Sequence, residues 1–210
     1  SNNEILSIAQ DAYGYIWIGT KKGLNRFDGN TFRQFYSDSS RNSLPEDEVH
    51  KLRWLDKERL AVITFTGLHI INTRTLETRN LIIPADSLNS LLRVNKVFDA
   101  SADNNGNIFI ITTGGFYQFN NKNELVFRYD HNPGAFGLNV VMTENNTLLL
   151  ATFDGPYIYH IAQKELHAVN KNDDVFYRQI AAQKKYLSVM HSDENSFSVR
   201  VPEDNEFSWF

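Results

Sequence analysis

Hydrophobic and polar positions alternate along most of this chain, in short runs separated by Asp, Asn and Gly. A period of two marks strands with one face turned inward. Four runs are instead apolar at nearly every position: Ile16-Trp17-Ile18, Leu60-Ala61-Val62-Ile63, Ile108-Phe109-Ile110-Ile111 and Leu148-Leu149-Leu150-Ala151. A strand that is apolar on both faces must be covered on both sides. Each of these runs ends in one figure, Thr-x-x-Gly, at Thr20 and Gly23, Thr64 and Gly67, Thr112 and Gly115, and Thr152 and Gly155. The threonines are 44, 48 and 40 residues apart. With Gly only 11 of 210 residues, composition does not account for four recurrences.

The flanks recur too. A turn signal precedes each run: Asp11-Ala12-Tyr13-Gly14, Asp56-Lys57-Glu58, Asp103-Asn104-Asn105-Gly106 and Glu144-Asn145-Asn146. These residue types bond their own backbone and tolerate positive φ, as hairpins require. Before each turn stands a first strand, at Ile5 to Ala9, Val49 to Leu55, Val94 to Ala100 and Leu138 to Met142. Third and fourth strands follow each Thr-x-x-Gly, and a degenerate fifth unit closes the chain with Met190 and Asp193 in the Thr and Gly places. Repeats of four short antiparallel strands every ~40–50 residues predict an all-β fold, a β-propeller of four-stranded antiparallel blades. About five blades are expected, over residues 4–37, 49–84, 94–130, 138–170 and 175–210. One such sheet cannot bury both faces alone, so neighbouring blades stack to make the core. Trp17 and Phe109 belong to that core by the same periodicity, and Trp54 fits either the core or the central channel.

Composition narrows the function. A formal net charge of −4 with no basic run matches nucleic-acid phosphates poorly. Zero Cys removes disulfides, thiol catalysis and Cys-type zinc sites. No stretch approaches the ~18 apolar residues of a membrane span. The start, Ser1-Asn2-Asn3-Glu4, has neither an initiator Met nor a signal-like core, which fits a chain trimmed at its N-terminus.

The first unit, from Asp11 through Trp17-Ile18-Gly19-Thr20 to Gly23-Leu24 and Phe27-Asp28-Gly29, closely resembles the two-component regulator propeller repeat. In the next three units Ala61, Phe109 and Leu149 replace the Trp, and only Thr and Gly persist. The resemblance implies the periplasmic sensor region of a hybrid two-component histidine kinase, built from seven-bladed propellers and often sensing oligosaccharides. On that reading this chain is a non-catalytic part of one such propeller rather than a closed five-bladed ring, and kinase, membrane and output parts lie elsewhere. A homodimer is expected, in the full receptor or through exposed apolar blade faces. Two alternatives stay open: a propeller enzyme such as a polysaccharide lyase or hydrolase, and a protein-interaction scaffold.

Local chemistry is sparse. The six histidines show no metal-binding spacing, and Asp103-Asn104-Asn105-Gly106-Asn107 lacks the later Glu of a calcium loop. No nucleophile elbow or phosphate-binding loop occurs, so neither catalytic residues, a metal nor a cofactor is expected. For a ligand, propeller geometry gathers the turns between second and third strands with the starts of the first strands. That nominates Lys21, Lys22, Phe65, Phe153 and Asp154, with Thr66 beside them, near Asp47, His50, Asn95, Asn139 and Arg178. Aromatic, amide and charged groups together suit an oligosaccharide, whose ring faces stack while its hydroxyls need donors and acceptors.

Overall fold

A computed structural model of the chain describes residues 4–38, 43–81, 83, 96–131, 137–143 and 146–169. The unit expected at 175–210 lies outside the described residues, as do Asn95 and Arg178. Among the described residues, sixteen strands fall into four sheets. The first holds β1 (Ile5–Gln10), β2 (Ile16–Thr20), β3 (Gly23–Phe27) and β4 (Phe32–Phe35). The second holds β5 (Val49–Trp54), β6 (Arg59–Thr64), β7 (Leu68–Asn72) and β8 (Thr78–Leu81). The third holds β9 (Val97–Ala102), β10 (Ile108–Thr112), β11 (Gly115–Phe119) and β12 (Leu125–Asp130). The fourth holds β13 (Gly137–Met142), β14 (Thr147–Thr152), β15 (Gly155–His160) and β16 (Glu165–Ala168). Each sheet is an antiparallel meander in chain order, and the described residues contain no helix. The strand expected to end at Ala100 continues to Ala102, opposite Ile108, up to the Asp103 turn, while Val94 lies outside the described residues.

Three apolar cores separate the four blades. Trp17 and Leu24 of the first blade meet Val49, Leu52, Leu60, Val62 and Ile71 of the second. Ala61, Ile63, Leu68 and Ile70 of the second meet Val97, Ile108, Ile110, Tyr117 and Phe119 of the third. Phe109, Ile111 and Phe116 of the third meet Val140, Leu148, Leu150 and Tyr159 of the fourth. The uniform hydrophobicity of β6 and β10 now has its cause. Alternate residues of one strand enter different cores: Leu60 and Val62 face backward in the chain, Ala61 and Ile63 forward. Trp54 packs against the first core. The Tyr159 hydroxyl, enclosed in the third core, donates to Gln118 Oε1 at 2.6 Å and so meets the cost of its burial.

The recurring motif residues close the hairpins. The hydroxyls of Thr20, Thr64, Thr112 and Thr152 donate to the carbonyls of Gly23, Gly67, Gly115 and Gly155. Three of these oxygens also accept a turn N–H, from Lys22, Gly114 and Asp154. All four threonines are buried, so Val in their place would fill the volume but lose the side-chain bonds to the turn. At Gly115, φ is 154° and an added Cβ would lie 1.9 Å from the Tyr129 carbonyl oxygen. Only glycine fits there. Gly19 serves a different purpose: a Cβ on it would lie 2.7 Å from Val49 Cγ1, so its absence lets the second blade approach. The Asp of the first three turns caps backbone donors, Asp11 accepting from Tyr13 and Tyr15, Asp56 from Glu58 and Arg59, and Asp103 from Asn105 and Asn107. Asp11 also accepts from Trp17 Nε1 at 2.9 Å, which explains why Asp and Trp occur together in the first blade.

One repeated feature is absent from the hydrophobic pattern. All four first strands carry a bulge at the same place, leaving Leu6, His50, Phe98 and Leu138 without a partner in the ladder. A bulge re-aims side chains and sharpens the local twist. The residue after each of the first three bulges, Ser7, Lys51 or Asp99, reaches a neighbouring first strand. Ser7 Oγ accepts from Leu52 N–H at 3.0 Å, and Asp99 Oδ2 accepts from Val140 N–H at 3.2 Å. These bonds run from one blade to the next. They join first strands that are more than forty residues apart in the chain.

The outward face of the first blade is apolar and open. Ile8 is 61% and Phe32 58% exposed, and the Phe27 and Phe32 rings stack at 4.6 Å.

Candidate functional site

At the inner ends of the blades, the Thr-x-x-Gly hairpins stand beside the starts of the first strands. The bulge in β5 turns His50 so that its ring stacks on Phe65, centroids 4.5 Å apart and planes at 19°. Phe65 lies between Thr64 and Gly67 in the hairpin of the same blade. Both imidazole nitrogens are enclosed and have no hydrogen-bond partner among the described residues. Burial pushes the His50 imidazole below its ordinary value; the nearby Val97 backbone and the charges of Glu48 and Glu46 offset this only in part, and Lys51 adds to it. Lys96, at the start of the third blade, places Nζ 4.8 Å from the Phe65 ring centroid. Phe65 is half-buried, so one aromatic ring contacts an imidazole and an ammonium and keeps part of its surface open.

The remaining nominated residues are spread around this cluster. Lys21 forms an ion pair with Glu4 at 2.8 Å within its own blade, and Lys22 contributes its backbone N–H to Thr20. The Thr66 hydroxyl and N–H donate to Glu46 Oε2, both at 3.2 Å, and Asp47 Oδ1 accepts from Ser37 N–H at 2.7 Å. Phe153 is half-buried in the fourth hairpin, where Asp154 lies 2.9 Å from His131 Nε2. Asn139 follows the β13 bulge, and its Oδ1 is buried without a partner among the described residues. The structure thus joins His50 to Phe65 and keeps Lys21, Lys22 and Asp154 in separate ion pairs or turns.

Four participants escaped the sequence reading. Lys96 is next in sequence to the nominated Asn95, but its reach to Phe65 crosses from one blade to another. Asp99 on β9 is fully buried; Arg53 donates to it through Nε at 2.8 Å and Nη2 at 3.1 Å, and Lys51 Nζ lies at 3.5 Å. Burial pulls the Lys51 ammonium below its ordinary value against the attraction of Asp99. The signal that could have found them is the fixed count of fifteen residues from the strand start to each Thr, which places Lys51 and Asp99 in equivalent positions. Among the described residues no group of three His, Asp or Glu side chains could hold a metal ion.

Burial also depresses the imidazole of His69, in spite of its bond to Asn80 Oδ1. Both His50 and His69 therefore bind a proton less readily folded than unfolded, where the ordinary value is 6.5. Stability should be fully present above that pH and decline as the pH falls below it, because the unfolded chain takes up more protons there. We expect the thermal midpoint to drop between pH 7 and pH 5. His69→Gln should flatten that slope, and an unchanged slope would remove His69 as its source. Asp28, held at about 2 by the Thr31 and Asn30 N–H groups, titrates far below this window.

Four-stranded blades stacked through shared cores, with first strands bonded to one another, define this chain as a β-propeller. Its first 22 residues match the family model described as Two component regulator propeller. A 49-residue stretch is 43% identical to Histidine kinase P4 of Formosa agariphila, covering 23% of this chain and 3% of that protein. The extracellular domains of two hybrid two component systems from B. thetaiotaomicron superpose with TM-scores of 0.64 and 0.63 at 23% and 20% identity. Each match covers 83% of this chain, and 26% and 23% of those chains. This chain thus spans about a quarter of the length of the extracellular domains it matches. Virginiamycin B lyase from Staphylococcus aureus superposes over 100% of this chain and 70% of its own, with a TM-score of 0.66 at 9% identity. At these identities the superpositions establish the propeller fold.

Proposed function

We propose that this chain is a non-catalytic, ligand-binding part of the periplasmic sensor of a hybrid two-component receptor, and that it recognises an oligosaccharide at the Phe65 ring. The reading is supported by the propeller repeat at residues 1–22 and by the likeness to extracellular domains of such systems. The observation that carries the site is the half-buried Phe65 ring, backed by the His50 imidazole and flanked by the Lys96 ammonium. A sugar ring stacks its C–H face on such an aromatic, and the ammonium turns from the ring to the sugar hydroxyls. His50 acts as a positioning residue behind Phe65, holding the ring at a fixed tilt.

Thermal unfolding of the chain against a panel of oligosaccharides tests this. A saccharide at ~100 times its dissociation constant should add about 2.7 kcal/mol. Phe65→Ala should abolish the shift while leaving the unliganded midpoint within a few degrees. No shift with any member of the panel would overturn the site, and cleavage of a saccharide by the purified chain would overturn the non-catalytic reading.

A further inference from the structure

A second, unrelated cleft opens at the outer rim between the second and third blades. It encloses about 540 Å³ and is lined by Arg59, Ile70, Asn72, Glu77, Thr78, Arg79 and Asn121. That volume is in the range of small-molecule clefts. Its charge pattern is unusual for a rim. Arg79, opposite Ile70 in the β7–β8 ladder, projects on the face that meets the third blade, so its stem lies over apolar surface. Its guanidinium makes no hydrogen bond or ion pair among the described residues. Arg59 is close enough for mutual repulsion and is itself held by Asp56 Oδ2. Burial and that repulsion both disfavour the Arg79 charge, and Asp56 compensates only from a distance.

A partly desolvated guanidinium beside a second one, with no carboxylate in contact, fits an anion that is not part of the chain. The other walls say which kind. Asn72 uses its Oδ1 on the Arg74 and Thr75 N–H groups, which leaves its Nδ2 as a donor. Asn121 donates Nδ2 to the Asn105 carbonyl, which leaves Oδ1 as an acceptor. Glu77 is exposed and offers a further acceptor at the mouth. Donors and acceptors around one unpaired cation suit a molecule carrying both an oxyanion and hydroxyls. We propose that this cleft binds an acidic sugar unit, with its carboxylate or sulfate on Arg79 and its hydroxyls on Asn72, Asn121 and Glu77. The cleft is independent of the Phe65 site, because the two share no residue.

The test is calorimetric titration of the 210-residue chain with a uronic-acid oligosaccharide, a sulfated oligosaccharide, their neutral counterparts and inorganic sulfate. Binding of at least one acidic saccharide is expected, with neutral counterparts much weaker. Arg79→Gln should weaken it tenfold or more, Arg79→Lys less, and Phe65→Ala not at all. The uronic and sulfated arms identify which oxyanion is taken. Inorganic sulfate binding as tightly as the sugar derivative would overturn the saccharide assignment. Equal affinity in Arg79→Gln, or binding by no acidic saccharide at millimolar concentration, would overturn the site. If Arg79→Gln fails to fold, Asn121→Asp replaces it: a carboxylate across the cleft should abolish binding, and unchanged binding would overturn the site equally.

Discussion

Trp17→Ala is expected to destabilise the chain by about 4 kcal/mol, in the upper range for truncating a buried aromatic. Trp17 has no exposed surface, and it lies in the core between the first and second blades with Leu24, Leu52 and Leu60. Its ring stacks on Phe35 at 5.7 Å and its indole N–H donates to Asp11. Truncation therefore removes apolar contacts, leaves a cavity between two rigid sheets and strips Asp11 Oδ2 of its donor. Trp17→Phe separates these contributions. It keeps most of the ring packing and loses the hydrogen bond, so it should cost only about 1–2 kcal/mol. Urea unfolding of both variants decides the point. A cost below about 1.5 kcal/mol for Trp17→Ala would mean that the two blades close over the vacated space.

Asp99→Ala should cost about 3 kcal/mol, for an electrostatic reason. The carboxylate is fully buried at the meeting point of three first strands, holding Arg53 and Lys51 of the second blade and the Val140 N–H of the fourth. Its loss leaves two cations side by side and one amide without an acceptor. The figure is kept below the upper range for a broken buried pair because Arg53 and Lys51 are 40% and 27% exposed and recover part of their hydration. Asp99→Asn can still accept from Val140, so it should cost about half as much. Equal stability of the wild type and Asp99→Ala in denaturant titration would show that water replaces the carboxylate at no loss.

These two replacements differ in how much of their effect the sequence discloses. Trp17, the threonines and the turn aspartates act within one blade or announce themselves by periodicity, and their roles were legible. A hairpin closed by Thr20 and Gly23 involves four consecutive residues, so local chemistry specifies it. Continuous hydrophobicity in β6 and β10 likewise reports two covered faces wherever the covering blades come from.

Contacts made across blades left no such trace. Arg53 and Asp99 are 46 residues apart, and nothing near either one announces the other. The bulges that aim His50, Lys51, Asp99 and Asn139 inward disturb the alternation by a single residue, which an apolar Leu6 or Leu138 at the same place disguises. Arg79 looks like any polar residue of an outer strand until the third blade closes the cleft beside it. The sequence by itself thus determined the strand, the hairpin and the blade, since these depend on neighbours a few positions away. Only the tertiary structure decided which charges meet at the inner strands and the rim, because stacking sheets brings together side chains whose separation along the chain carries no information about their distance in space.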